Sequence, residues 1–199
     1  MRRVVLATAN AGKLAEMCAI LAGHDLEVIP QSEFGITPPA EDGASLIANA
    51  LIKARHAAAQ AGLPAIADDS GLEVDALGGR PGLHSARYAG PAAAARDNNE
   101  LLLAELALIP DGRRSARYRC AMVFVRAAAD PLPVITEAVW EGRIGREPRG
   151  VGGFGFDPLF IVNGDSRTAA ELSAQEKNRV SHRGQALLAL AARMREAGW

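Results

Sequence analysis

Little in this sequence marks it for a specialised environment. It holds only two cysteines, Cys18 and Cys120, far apart and outside any CxxC spacing. That excludes a disulfide scaffold and a thiolate zinc knuckle, and it fits reduced, buried small hydrophobes in a cytosolic protein. The four histidines are scattered without HExxH spacing, so no zinc-hydrolase signature is present. The apolar run after Arg2 and Arg3 stops at Asn10, too short for a signal peptide. No window approaches the length of a membrane span. The expectation is a cytoplasmic chain with no membrane partner. The net charge is only −1, which argues against a dedicated nucleic-acid surface but leaves room for a small anion held by a few lysines. Internal repeats, low-complexity tracts and linkers are all missing.

What remains is an ordinary globular composition, 49% hydrophobic and 23% charged over 199 residues. That suits one domain, residues 1–199, with a real core. Arg3 to Thr8 is a short apolar run that predicts a buried strand, followed by helical spacing over Lys13 to Leu21 and a second strand over Leu26 to Ile29. Pro30 to Gly43 is a loop. Ala44 to Ala61 predicts a long amphipathic helix with Leu46, Ile47, Ala50, Leu51 and Ala54 on one face. Pro64 to Ala67 predicts a strand ending at Asp68-Asp69-Ser70-Gly71, with Leu72 to Val74 continuing it or starting another. A loop over Gly78 to Gly90 and a helix over Ala92 to Ala107 follow. Ser115 to Val125 and Val134 to Ile144 predict a long antiparallel pair. Leu159 to Val162 is a last strand, and two helices, 173–181 and 184–197, close the chain. Interleaved strands and helices followed by a hairpin predict an α/β domain with a mixed sheet.

Five constellations carry possible chemistry. Thr8-Ala9-Asn10-Ala11-Gly12-Lys13 lies at a strand-to-helix turn, where free N–H groups and a lysine suit phosphate, although a capped helix with an exposed lysine fits equally simply. Glu41 and Asp68-Asp69 offer hard oxygens for magnesium. Adjacent strand residues point to opposite faces, so the two aspartates have different jobs; an Asx turn is the alternative. Asn49, Lys53, His56 and Gln60 form one helix stripe, which most often is simply the wet side. Lys53 can still reach the cleft that Glu41 borders. Gly152 to Pro158 sets two phenylalanines among glycines, suited to a flat ligand or to a tight turn plugging the core. Lys177 and Ser181-His182-Arg183 supply donors for a purine oxygen, or merely an N-cap serine and surface charge between two helices.

The order of these pieces is more specific than any one of them. TxNxxK, then E…K, then ADDSGLEVDALGGRPGLHSARYAG, GGFGFDPLF and EKNRVSHRGQAL together resemble the inosine triphosphate pyrophosphatase family, over nearly the whole chain. The resemblance implies an elongated mixed β-sheet with flanking helices, two lobes around a central substrate cleft, a homodimer, and a Mg2+ requirement. It implies hydrolysis of ITP, dITP and XTP to the monophosphate and pyrophosphate, cleansing the nucleotide pool. Thr8, Ala9, Asn10, Ala11, Gly12 and Lys13 would bind the triphosphate, with Lys53 and Lys177 neutralising its charge. Glu41 and Asp69 would sit at the metal, with Asp68 supporting that acidic cluster. Asp69 would accept the proton of the attacking water, and Ser70 would touch substrate. Phe154, Gly155, Phe156 and Asp157 would line the base and sugar pocket, and His182 with Arg183 would read the base. Phe156 departs from the family, where tyrosine or tryptophan is common, and so lacks a polar tip.

Attack on a phosphate chain needs an aligned water and charge neutralisation. A fixed donor such as Arg183 matches the keto oxygen of hypoxanthine or xanthine and mismatches the amino group of adenine. Three other readings compete: a pyrophosphatase for pyrimidine or modified nucleotides, a nucleotide-binding regulator without turnover, and a nucleic-acid module built on Arg113, Arg114, Arg117 and Arg119. That arginine cluster reads better as the solvated start of a strand.

Overall fold

The structure, a computed structural model, describes residues 1–199. Its strands are β1 (Arg2–Leu6), β2 (Leu26–Pro30), β3 (Ala65–Val74), β4 (Ser115–Val125), β5 (Val134–Ile144) and β6 (Phe160–Val162). Its α-helices are α1 (Ala11–Leu21), α2 (Leu46–Ala61), α3 (Ala95–Glu105), α4 (Ala174–Val180) and α5 (His182–Glu196). The strands form one sheet in the order β2-β1-β3-β4-β5-β6. β1 runs parallel to both β2 and β3, while β6 is antiparallel to β5, so the sheet is mixed and the class is α/β, as the pattern predicts.

The chain divides into two compact units, each with its own apolar core. The first takes Met1–Asp69, Cys120–Ala138 and Arg183–Trp199, and the second takes Ser70–Arg119 and Val139–His182. In the first, strand alternation sorts side chains onto two faces. Val4, Leu6, Ile66, Cys120, Met122 and Phe124 pack with Met17 and Leu21 of α1 and Leu187, Leu190 and Met194 of α5. Val5, Ala7, Ala65, Ala67, Val123 and Val125 pack instead with Ala50, Ala54, Ala57 and Ala58 of α2. Four alanines on the buried side of α2 let its backbone lie close to the strands. Ser45 starts this helix by accepting the Ala48 N–H, and Gly62 ends it at φ 65°, a left-handed conformation that glycine adopts without a Cβ penalty. The second unit buries Leu72, Val74, Leu102, Leu106, Tyr118, Trp140, Phe156 and Phe160 together.

Of the readings open at the aspartates, β3 takes the continuous one: it runs ten residues straight through Asp68-Asp69-Ser70-Gly71 to Val74, so Leu72 to Val74 continue the strand and the Asx turn is excluded. The reason is close packing at Gly71, where a Cβ would lie 2.3 Å from the Gly82 carbonyl oxygen. Ser85 completes the seam by accepting the Leu72 N–H at 2.8 Å and donating to that carbonyl at 2.7 Å. The expectation of a simply solvated arginine cluster needs correction. Arg114 is 2% exposed and donates to the carbonyls of Ile144, Leu106 and Gly145 at 2.7–2.8 Å, so it ties loop to strand. Arg117 and Arg119 pair with Glu141, Asp75 and Glu73.

Candidate active site

Asp68 and Asp69 are both buried, and the pleat of β3 sends them to opposite faces. Asp68 follows Ile66 toward α1 and α5. Its Oδ2 lies 2.9 Å from the Lys13 ammonium and accepts from Arg183 Nε at 3.2 Å. Arg183 also donates through Nη1 to Glu16 at 2.6 Å. Lys13 comes from the first turn of α1, which Asn10 caps by accepting the Lys13 N–H at 3.0 Å. The Thr8 hydroxyl in turn accepts the Asn10 N–H. Burial pushes the Asp68 carboxyl up, but Lys13, then Arg183 and Lys53, outweigh it and hold the group well below the usual carboxylate range. Removing one partner from such a buried set leaves an uncompensated charge.

Asp69 follows Ala67 toward α2. The Lys53 ammonium donates to its Oδ1 at 3.0 Å and the Asn49 amide to its Oδ2 at 3.1 Å. The same ammonium reaches Glu41 Oε1 at 3.1 Å. Burial works against the charge of Lys53, but Asp68, Asp69 and Glu41 raise its pKa on balance. Asn49 is set in turn by the loop before α2, accepting the Gly43 N–H at 2.8 Å. A side chain at Gly43 would meet that amide oxygen at 2.6 Å. The helix stripe thus splits: Asn49 and Lys53 are buried at the site, His56 bonds the Thr37 carbonyl at 2.9 Å, and Gln60 is exposed.

The oxygens of Glu41 and Asp69 converge on one cation, Lys53, and form a hard-oxygen pair of the kind magnesium takes together with phosphate. Asp68 is not part of this pair. No group of three or more His, Cys, Asp or Glu side chains converges anywhere in the chain, because the strand pleat separates the two aspartates. Asp68 Oδ1 is buried without a hydrogen-bond partner. Cys120 lies near this charge cluster, and burial, then Asp68, pushes its thiol up to about 12, so it is an inert core residue.

The second unit gathers the glycine-rich segment with the end of α4. Asp157, 2% exposed, caps its own turn by accepting the Phe154 N–H at 2.8 Å. Its Oδ2 pairs with the buried Lys177 ammonium, which also lies 4.7 Å over the Phe154 ring. Gly153 has φ 67°, and a Cβ there would come within 2.1 Å of Asp157 Oδ2, so only glycine permits the cap. Gly155 is likewise left-handed at φ 63°, and its carbonyl accepts from Asn99 at 3.0 Å. Phe156 packs in the core edge-on to Tyr88. His182 is buried and stacks on Tyr118 with ring centroids 4.6 Å apart. Ser70 is half-buried in β3.

The sequence marks Asn49 only through its 4-residue spacing from Lys53 in the helix stripe. It does not mark Glu16 and Tyr118, since each reaches the site only through contacts made by folding.

The model of the Ham1 family matches residues 4–193. This chain belongs to the Ham1 family. It is 58% identical over 194 residues to a dITP/XTP pyrophosphatase of Methylococcus capsulatus, covering 98% of this chain and 96% of that protein. It is 51% identical over 187 residues to a dITP/XTP pyrophosphatase of Escherichia coli O157:H7, covering 94% and 95%. Among solved structures, the HAM1 protein from Coxiella burnetii is similar with a TM-score of 0.90 and 48% identity, over 98% of this chain and 100% of that one. A nucleoside-triphosphatase, dITP/XTP pyrophosphatase, from Mycobacterium abscessus gives a TM-score of 0.74 at 44% identity, over 94% of this chain and 98% of that one. No helix in the chain is long and apolar enough to cross a membrane.

Proposed function

We propose that this chain hydrolyses non-standard purine nucleoside triphosphates, dITP, XTP and ITP, to the monophosphate and pyrophosphate, as a cytoplasmic homodimer that uses magnesium. The names of relatives at 50–58% identity support the reaction and the substrate class. The observation that carries it in this chain is the buried set around Asp69: one carboxylate addressed by Lys53 and Asn49, with Glu41 on the same ammonium.

Glu41 and Asp69 would hold the magnesium ion, which supplies positive charge at the phosphate oxygens when bound. Asp68 has a different task, holding Lys13 and Arg183 in place. Asp69 is fixed by two donors and serves as proton acceptor for the attacking water. Lys13 at the head of α1 and Lys53 on α2 offset the phosphate charge. Lys177, which the resemblance gives to the phosphate charge, is tied instead to Asp157 and lies over the Phe154 ring; in the second unit Lys177, Asp157 and His182 therefore present a fixed set of hydrogen-bonding groups to the nucleobase, and the face of Phe154 offers stacking worth about 1–3 kcal/mol. Arg183, held between two carboxylates, is a rigid donor rather than a mobile one. A site built on such groups rejects adenine because the mispaired amino group and its partner stay unsatisfied.

The test is hydrolysis in 18O-labelled water. Label in the deoxyinosine monophosphate, with none in pyrophosphate, is the expected result of attack at the α-phosphorus. Label in orthophosphate or pyrophosphate would reject the cleavage position.

A further inference from the structure

Tyr118 is assigned no role by the family pattern, yet several of the nucleobase residues meet on it. It is 8% exposed. Its ring lies almost parallel to the imidazole of His182, 9° between planes, and is backed by Trp140 at 6.3 Å and Phe160 at 4.7 Å. Its hydroxyl donates to Asp157 Oδ1 at 3.3 Å. The other oxygen of that carboxylate takes the Phe154 N–H and the Lys177 ammonium.

We propose that Tyr118 is a positioning residue for nucleobase recognition: its ring sets the plane of His182 while its hydroxyl sets the rotation of Asp157, and through Asp157 the place of Lys177. This rests on the assignment of Asp157, Lys177 and His182 to the nucleobase. Two physical arguments carry it. A buried hydroxyl is costly unless it is bonded, so a tyrosine at this depth needs an acceptor, and Asp157 is that acceptor; phenylalanine alone would give the stack. The terminal torsion of an aspartate is soft and roughly two-fold, so a carboxylate with donors on both oxygens is locked, and one that loses a donor swings. The groups that Tyr118 locks are the same ones that bind the base, so the hydroxyl acts on substrate affinity rather than on bond cleavage.

The experiment is Tyr118→Phe, which keeps the ring and the stack. KM for dITP is expected to rise about three- to tenfold, the scale of one ordinary hydrogen bond, as fits the 3.3 Å length of this one. kcat should stay within about twofold, while the melting temperature should fall by about 3–10 °C because the buried Asp157 Oδ1 loses this donor. In an Asp157→Asn background the same substitution should add less than about twofold, since the two act as one unit. A KM equal to that of the native chain overturns the proposal. So does an undiminished penalty in the Asp157→Asn background, or a joint fall of kcat and melting temperature with every triphosphate, which would mark a purely structural tyrosine. Lys177→Ala and His182→Ala run beside it separate the two levels. If they raise KM and Tyr118→Phe does not, only Tyr118 is wrongly placed; if neither of them raises KM, the nucleobase assignment itself fails.

Discussion

Replacing Arg183 with methionine keeps most of the apolar stem and removes the guanidinium from between Asp68 and Glu16. Arg183 is 2% exposed and Asp68 1%, so water cannot take over the lost hydrogen bonds. Breaking one partner out of a buried ion cluster costs about 3–5 kcal/mol. Here Lys13 still contacts Asp68 Oδ2 at 2.9 Å, which places the expected loss near the lower end, about 3 kcal/mol. With a urea m-value of about 2 kcal/mol per M for a chain of this size, the unfolding midpoint should fall by about 1.5 M. The assay is equilibrium urea unfolding at pH 7, with the single substitution and with Asp68→Asn and Glu16→Gln already in place. In that neutralised background these two carboxylates no longer hold the arginine, and its removal should cost less than in the native background by about 1–2 kcal/mol. A midpoint shift below about 0.5 M in the native background, or an equal shift in both backgrounds, would refute the argument that Arg183 is held by this cluster.

Other consequences follow from the same geometry. Lys53→Met leaves Glu41 and Asp69 facing each other without their shared cation and should lower kcat by about 10²–10³, measured by steady-state pyrophosphate release. Gly153→Ala puts a Cβ into Asp157 Oδ2 and strains a left-handed residue; KM for dITP should rise about tenfold or more, with a stability loss of about 1–3 kcal/mol by urea unfolding. Asp68 has a depressed folded pKa, so its contribution to stability is present above its unfolded value of about 3.9 and lost as pH falls below that toward the folded value. Urea unfolding at pH 5 and pH 3 should therefore show a larger loss for the native chain than for Asp68→Asn. Lys53, with a raised pKa, adds nothing to that acid window, because its contribution is lost only above about 10.4.

Much of the fold was legible from periodicity. Ser115 to Val125 and Val134 to Ile144 are strands over the predicted residues, because long β-branched and apolar runs bounded by turn residues leave little choice. At β3 the sequence leaves strand and turn both open, since Asp, Ser and Gly are turn formers and nothing local reveals that Gly82 packs against Gly71. The different jobs of Asp68 and Asp69 were legible, because strand alternation alone separates neighbours. Which partner each takes was not, for it depends on α1, α2 and α5 docking on opposite faces. The Asn49 and Lys53 stripe looked like a wet helix side because the neighbouring buried alanines carry so weak a hydrophobic signal. Arg114 misled for the opposite reason: charge in sequence suggests solvent, but its guanidinium fills a nest of backbone carbonyls.

The most direct test of the central claim is pyrophosphate release with magnesium from dITP and XTP, beside dATP and dGTP, for the native chain and for Asp69→Asn. The account predicts rapid release from dITP and XTP, a rate lower by about 10² or more on dATP, whose amino group mismatches donors set for a keto oxygen, loss of release when magnesium is chelated, and a collapse of kcat in the variant. Equal rates on dITP and dATP, or an Asp69→Asn chain as fast as the native one, would contradict it.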